Sequence, residues 1–278
     1  MSSTGTPING LWSEFTNSNS RVDILVFFVL MSLIFIILLQ IIMYLTILFN
    51  SVSDSPILID GRVSGSVMRV ITQDPELKGS IPIKRSTHED GIEFTWSTWL
   101  NINGTSHPDA GEYQHIFHKG DNVILLPTGM NNILNAPGLY LSSENELVVC
   151  MNTYDTPFNN VRIDNIPRNK WFNIIIRLSD QYTLDIYING KLVKRHILDT
   201  IPKQNYGDVY VGMNGGFNGY ISSLRYYSRA LSNIEILKIM NDGPNLKLLS
   251  HDKSLTNKNK QQYLSLQWFL NSHSSDYT

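Results

Sequence analysis

Three pairs of acidic side chains are the candidates for acid–base chemistry in this sequence of 278 residues. They are Glu144 with Glu146, Asp74 with Glu76, and Glu89 with Glu93. A retaining glycosidase needs two carboxyl groups about 5 to 5.5 Å apart, one as the general acid and one as the nucleophile. The first pair lies in a predicted hairpin turn, the second straddles Pro75, and the third flanks Gly91 before a strand begins. No pair occupies a strand interior, so we predict no catalytic residues.

Calcium binding is the second chemistry that the residue types allow. The candidate loop residues are Asp121 and Asn122, and then Asp155, Asn159 and Asn160. Ca²⁺ takes six to eight oxygen ligands that converge from loops. The same residue types are also favoured in ordinary turns. Calcium is therefore an open alternative, and we predict neither a metal centre nor another cofactor.

Two histidines and one cysteine complete the candidates. His115 and His118 stand three residues apart on a predicted strand, which directs their side chains to opposite faces and argues against a shared metal. We expect them to be surface or packing residues. Cys150 ends the apolar run that begins at Leu147, so we expect a small buried hydrophobe.

Composition narrows the class of protein. The chain has 22 basic and 24 acidic side chains and a net charge of −2, which argues against electrostatic binding of nucleic acid. Its 42% hydrophobic and 17% charged residues exclude wholesale disorder. The single cysteine excludes an intramolecular disulfide framework.

The first predicted element of the chain is a membrane-spanning helix, which precedes the domain that contains these residues. After a polar segment, residues 1–22, the stretch 23–50 is almost entirely apolar and carries no charge from Ile24 to Phe49. A helix from Ile24 to Phe49 measures about 39 Å, which exceeds the thickness of about 30 Å of the hydrocarbon core of a bilayer. Gln40 within it can hydrogen-bond to a partner helix. We predict a single-pass membrane protein whose partners include the lipid bilayer; the topology stays open.

A β-sandwich follows a short polar linker, residues 51–56. From 57 to 245 the sequence has short β-branched or alternating runs between turn signals, which is typical of an antiparallel all-β sandwich. The predicted strands are 81–83, 94–101, 115–118, 138–141, 147–152, 171–178, 182–189, 191–197, 208–213 and 217–227. Asn189-Gly190 supplies the type I′ turn of a hairpin.

A helix and a polar tail close the chain. Ser232 and Glu235 form a capping box, followed by a predicted apolar stripe of Ile234, Leu237 and Ile239–Met240. The tail, 246–278, is polar except for the segment 263–270. That segment either adds an element to the domain or docks on a partner through Trp268, Phe269 and Leu270.

Several motifs together resemble the concanavalin A-like lectin and glucanase superfamily, in its laminin G-like, pentraxin-like branch. They are 91–101, 118–121, 167–176, 184–191, 211–221 and 224–236. The resemblance implies a two-sheet antiparallel jelly-roll sandwich with one short C-terminal helix, which agrees with the strand pattern. It also implies a mixed range of functions, because members bind glycans, often with calcium, bind proteins, or hydrolyse β-glucans.

Three functions follow from these observations. The preferred one is a non-enzymatic binding or scaffolding protein at a membrane. The low cysteine content and the Asn and Ile bias look similar to membrane-anchored laminin G-like proteins of large DNA viruses, which implies a minor capsid or virion membrane component with membrane or capsid proteins as partners. A glycan-binding attachment lectin is the alternative. A membrane-tethered β-glucanase using Glu144 or Glu146 is the third.

Overall fold

The computed structural model describes residues 21–50, 52–86, 91–104, 112–123, 128–131, 134–156 and 159–249. The chain divides into two compact units, Met1–Val52 and Ser53–Thr278. Each of the two units is described separately below.

In the first unit the structure describes the helix α1, which spans Arg21–Asn50. Its segment Ile24–Thr46 is long and apolar enough to cross a membrane, and none of it is buried inside the protein. A signal sequence near an N-terminus satisfies the same criterion. The charge-free run that the sequence predicted is therefore helical.

The second unit is a sandwich of two six-stranded antiparallel sheets. Its strands are β1 (Ile57–Ser64), β2 (Arg69–Ile71), β3 (Phe94–Gly104), β4 (Tyr113–Gly120), β5 (Gly138–Ser142), β6 (Leu147–Met151), β7 (Asn159–Ile163), β8 (Trp171–Ser179), β9 (Thr183–Ile188), β10 (Lys191–Ile197), β11 (Asp208–Val211) and β12 (Asn218–Tyr227). Sheet A has the order β1-β12-β3-β8-β9-β10, and sheet B has the order β2-β11-β4-β5-β6-β7. The all-β sandwich that the sequence predicted is confirmed.

Alternation along the strands builds the core between the two sheets. In β3, Trp96, Leu100 and Ile102 face the core because every second side chain of a strand points to the same side. The Trp96 ring stacks on Phe117 of sheet B with a centroid distance of 5.4 Å. This contact joins the two sheets near one end of the sandwich.

The predicted strand at 81–83 is wrong, and the side chain of Gln73 explains the observed conformation. Its Oε1 accepts from the Ile83 backbone N–H at 2.9 Å, and its Nε2 donates to the Ile81 carbonyl at 3.1 Å. Pro82 between them has no N–H to offer a neighbouring strand. The Gln73 side chain therefore takes most of the hydrogen bonds of this segment, and the Ile81 N–H donates to the Thr72 carbonyl at 3.0 Å.

The helix α2, Asn233–Asp242, carries the predicted capping box between Ser232 and Glu235. Its buried residue is Ile236, which packs with Ile175 and Tyr187 on the outer face of sheet A. The predicted apolar stripe is partly wrong, because Ile234 is 80% exposed and Leu237 is 58% exposed. Ile239 and Met240 do pack against this cluster.

The residues that precede β1 are bonded to the sandwich. The Asp54 carbonyl accepts from the Ser228 N–H at 2.9 Å, and the Pro56 carbonyl accepts from the Tyr226 N–H at 3.2 Å. The Asp54 carboxylate pairs with Lys84 Nζ at 2.7 Å. The second unit therefore starts in a defined position beside the end of β12.

Candidate functional site

A cavity of about 430 Å³ opens at one end of the sandwich, between the two sheets. Sheet A supplies the start of β3 and the end of β12, and sheet B supplies the end of β4 and the start of β11. The lining residues are Gln73, Asp74, Pro75, Ile83, Lys84, Arg85, Phe94, Trp96, Lys119, Ala136, Lys203, Gln204, Asn205, Tyr206, Asp208 and Tyr226. Its volume lies in the range of small-molecule sites, about 300 to 1,000 Å³.

Aromatic side chains form the sheet A wall of this end pocket. Phe94, Trp96 and Tyr226 belong to the core, and the rings of Trp96 and Tyr226 meet edge to face at a centroid distance of 5.2 Å. Burial raises the pKa of Tyr226, so this phenol stays neutral. The wall is therefore rigid and largely apolar.

Lys119 forms the opposite wall from an inward-facing position of β4. It stands two residues after the core residue Phe117, so strand alternation directs both side chains between the sheets. The residue is 9% exposed. Its Nζ donates to the Gly207 carbonyl at 2.7 Å and lies 3.5 Å from Asn205 Oδ1. Burial lowers the pKa of Lys119 to about 8, which the Asp208 carboxylate partly opposes.

A close approach of two glycines holds this lysine in place. A Cβ atom added at Gly207 would lie 1.9 Å from the Gly120 carbonyl oxygen. The Asn205 side chain donates to the Lys119 carbonyl at 3.1 Å and accepts from the Gly207 N–H at 3.0 Å. The segment 205–207 therefore forms hydrogen bonds with both the backbone carbonyl and the ammonium group of Lys119.

The rim of the end pocket is polar and more exposed. Arg85 Nε donates to Gln204 Oε1 at 2.8 Å, and Arg85 Nη1 lies 3.5 Å from the Tyr206 hydroxyl. Tyr206 itself is 85% exposed. Asp208 Oδ1 accepts from the Gln73 N–H at 2.8 Å, which ties β11 to the segment after β2. The rim thus presents hydrogen-bonding groups and one open aromatic ring.

The sequence missed this site because its parts are distant along the chain. Lys119 and Gly120 lie within the motif 118–121, but we assigned a role to neither of these two residues. The signal that could have found the site was the position of Lys119 two residues after Phe117, on the same face of the strand. The pairing of β4 with β11 brings Gly120 opposite Asp208.

The candidate calcium residues do not line the end pocket. Asp121 follows β4, where its Oδ1 accepts from Asn131 Nδ2 at 2.7 Å. Asp155 is exposed in the loop before β7, and Asn160 in β7 pairs with Cys150 of β6. Asn122 is exposed directly after Asp121.

Asn159 belongs to a compact cluster around a carboxylate that the sequence analysis did not consider. Asn159 Nδ2 and Thr153 Oγ1 donate to Asp199 Oδ1 at 3.1 and 2.8 Å, and Thr156 Oγ1 donates to Oδ2. The bonds from Thr156 and Thr153 lower the pKa of Asp199 to about 2. Among the described residues, no group of three His, Cys, Asp or Glu side chains could hold a metal ion.

The prediction that His115 and His118 point to opposite faces is wrong. The pairing of β4 with β5 shifts register between His115 and Phe117, and both Ile116 and Phe117 face the core. This β-bulge places both histidines on the outer face of sheet B, where they are buried with His115 Nε2 and His118 Nδ1 2.6 Å apart.

The hydrogen-bond directions assign a neutral tautomer to each histidine. The Met213 N–H donates to His115 Nδ1 at 3.1 Å, so the proton of neutral His115 sits on Nε2 and points to His118 Nδ1. His118 Nε2 then donates to the Asp121 carbonyl at 2.9 Å. This chain of contacts uses all four ring nitrogens, and Asn131 Nδ2 also lies 3.0 Å from His118 Nε2 while it donates to Asp121 Oδ1.

The structure places the other residues that the sequence analysis singled out as follows. Glu144 and Glu146 lie in the turn between β5 and β6, and Glu146 pairs with Arg162 at 3.4 Å. Cys150 is buried and unpaired as predicted, and burial raises its pKa to about 12. Ile24 and Gln40 lie in α1 together with Phe49. Trp268, Phe269 and Leu270 lie outside the described residues, as does Glu89.

Solved structures of similar fold include the binding domain of botulinum neurotoxin DC in complex with rat synaptotagmin II. It has 19% sequence identity and a TM-score of 0.43, over 54% of this chain and 36% of that chain. The receptor-binding domain of botulinum neurotoxin D has 13% identity and a TM-score of 0.46, over 69% of this chain and 54% of that chain. The chain thus spans 36 to 54% of the length of these two structures.

The sequence comparisons identify the family. No curated protein matches the sequence significantly. Residues 78–237, which include β3 to β12 and the start of α2, match a laminin G family of the concanavalin A-like lectin/glucanases superfamily. The matched range covers more than half of the chain and agrees with the two-sheet sandwich. The chain belongs to the concanavalin A-like lectin/glucanases superfamily.

Proposed function

We propose that the chain is a non-catalytic binding protein, held at a membrane by α1, that takes a saccharide into the end pocket. The observation that carries the proposal is the pairing of an aromatic wall with a polar rim around about 430 Å³. A pyranose ring presents apolar C–H faces and hydroxyl edges, which match an apolar wall and a rim of amide, amine and guanidinium groups.

Tyr206 is the residue of the rim that best fits sugar stacking. Its ring is 85% exposed beside the cavity, and its hydroxyl lies near Arg85. Trp99 of β3 does not line the end pocket and is 9% exposed. The saccharide is therefore expected to contact Tyr206 at the mouth of the end pocket.

A glycan array with the detergent-solubilised full-length chain tests this function. We expect retention on a defined set of saccharides, and a loss of roughly ten-fold or more for Tyr206→Ala because stacking area is removed. The matched control is Tyr182→Ala, at a tyrosine that is 39% exposed in the turn before β9. Equal retention of both variants would exclude the end pocket as the binding site. A parallel run with a calcium chelator tests the calcium alternative.

The absence of catalysis is part of the proposal and has its own test. It is supported by the location of Glu144 and Glu146 in a turn, away from the end pocket. We expect no release of reducing sugar from a broad β-glucan panel. Release that Glu146→Gln abolishes would make the chain a glucanase.

A structural role in a large DNA virus particle is our second proposed function. It is supported by the composition and by the single buried cysteine, which suits a domain that matures without disulfides. A pull-down of the full-length chain from native particles or membranes tests it. Specific capture of capsid or membrane proteins, with no saccharide retained on the array, would favour this role over glycan binding.

A further inference from the structure

Among the residues that the structure describes, two cationic side chains of the end pocket bond only to neutral groups. Lys119 has the Gly207 carbonyl and the Asn205 amide oxygen as its acceptors within the described chain. Arg85 has Gln204 Oε1 and the Tyr206 hydroxyl. By contrast, Lys84 on the same rim is paired with the Asp54 carboxylate at 2.7 Å. Lys119 and Arg85 therefore form no direct ion pair with a carboxylate in the described part of the chain.

The position of Lys119 makes this arrangement costly in the empty pocket. A buried ammonium group loses its hydration, and neutral acceptors recover only part of that free energy. An ammonium group has three N–H donors, and the two described acceptors use two of them. The third is available to a group inside the cavity that Lys119 lines.

The residues that line the cavity also carry more positive than negative charge. Its lining contains four basic residues, Lys84, Arg85, Lys119 and Lys203, against two acidic ones, Asp74 and Asp208. Because Lys84 is paired with Asp54, three basic residues remain against two acidic ones. Asp208 already accepts the Gln73 N–H. The whole chain, with a net charge of −2, has no such excess of positive charge. The excess is thus a local property of the end pocket.

We propose that the end pocket selects acidic saccharides, with a carboxylate of the sugar bound to Lys119 and Arg85 while the sugar ring stacks on Tyr206 at the mouth. This inference rests on the proposed function and names its substrate class. The third N–H of Lys119 can donate a charge-assisted hydrogen bond to a carboxylate oxygen of the saccharide. It also explains why an inward position of β4 is occupied by lysine.

The first test compares two matched probes on the full-length chain in detergent. They are an oligosaccharide that ends in glucuronic acid and the same oligosaccharide ending in glucose. We expect the wild-type chain to prefer the acidic probe by roughly ten-fold, the gain of one charge-assisted bond. Lys119→Met is expected to bring the preference within about two-fold, measured as the ratio of the two probes bound by the same variant. Lys238→Met, at an exposed lysine of α2, is the control and keeps the preference.

A second variant and a pH series test the proposal independently of whether Lys119→Met folds. Arg85→Gln changes an exposed side chain and is expected to reduce the same preference. The preference of the wild-type chain should also decline as the pH rises above about 8, because the Lys119 ammonium loses its proton. The acidic probe coupled to a carrier protein and to a lipid in phosphatidylcholine vesicles distinguishes glycoprotein from glycolipid ligands.

The outcomes separate this inference from the proposed function. Equal affinity of the wild-type chain for both probes would overturn the selection of acidic saccharides and leave saccharide binding intact. A preference that survives both Lys119→Met and Arg85→Gln would overturn the role of these two residues. Retention of no saccharide, acidic or neutral, would overturn the proposed function and this inference with it.

Discussion

At the scale of single residues, the buried histidine pair makes stability depend on pH. Burial lowers the pKa of His118 to about 4, and burial together with the nearby His118 lowers the pKa of His115 well below 6.5. Both folded-state values lie below the unfolded value of about 6.5, so the unfolded chain binds protons more readily. The contribution of the pair is therefore complete above pH 6.5 and is lost as the pH falls toward 4.

Replacing His118 by Gln is predicted to flatten this dependence. Between pH 6.5 and 4 the wild-type chain should lose up to about 1.4 kcal/mol per pH unit for each histidine, beyond what its other groups lose. Urea denaturation at a series of pH values measures the difference. His196→Gln, at a half-buried histidine of β10, serves as the control and should keep the wild-type slope. Parallel curves for the wild-type chain and His118→Gln would contradict the assignment of a neutral pair.

The residue scale is also where the sequence was least informative. Cys150 could be predicted as buried because its neighbours are apolar. The two histidines were misplaced because a one-residue bulge at Ile116 reverses the alternation after it. Lys119 was overlooked for a related reason, since its inward direction depends on where that alternation resumes.

At the scale of elements, one carboxylate joins three strands of sheet A. Asp185 in β9 has no exposed side-chain surface, and Arg195 of β10 donates to its two oxygens at 2.6 and 2.9 Å. Arg177 of β8 contacts the same carboxylate at 3.2 Å. Because the cluster lies at the edge of the sheet, it fixes the register of the hairpin that Asn189 and Gly190 turn.

Asp185→Ala is predicted to lower the free energy of unfolding by about 2 to 3 kcal/mol. The value is below the 3 to 5 kcal/mol of a fully buried pair because Arg195 remains half exposed to water. Glu146→Gln, which breaks the more exposed pair with Arg162, should cost less than about 1 kcal/mol. Both values come from urea denaturation at neutral pH. Similar losses for the two variants would show that burial of Asp185 is not what matters.

Most elements could be predicted from alternation and turn chemistry. The β9–β10 hairpin and the capping box of α2 are confirmed because a few adjacent residues determine each of them. The buried face of α2 was only partly right, since sheet A and not the helix decides that Ile236 faces inward. The segment 81–83 has apolar residues at alternate positions, yet Gln73 satisfies its backbone in place of a strand.

At the scale of the whole molecule, α1 is proposed to keep the sandwich at a membrane. We predict that the full-length chain, tagged before Met1 and expressed in cells, stays in the membrane pellet after alkaline extraction. Two lysines at Ile34 and Leu38 should release it, because each costs about 3 kcal/mol at a helix centre. Gln40→Leu is the control and stays in the pellet. Loss of the tag from the mature chain would contradict an anchor and indicate a cleaved signal sequence.

The architecture of the whole molecule was easier to predict than its binding site. The two-sheet sandwich follows from many short strands with similar spacing, so single errors such as the one at 81–83 do not change it. The end pocket depends on which strand ends meet. Phe94, Lys119 and Asp208 come together only through the order of strands in both sheets.

Hydrogen–deuterium exchange with a bound saccharide tests the location of the ligand most directly. The experiment uses the full-length chain in detergent, with and without the saccharide that the array retains most strongly. The account predicts slower exchange at the amides of 203–208 and 83–85, which surround the end pocket. Protection confined to the loop that contains Asp155 and Asn159, or to the turn of Glu144 and Glu146, would contradict it.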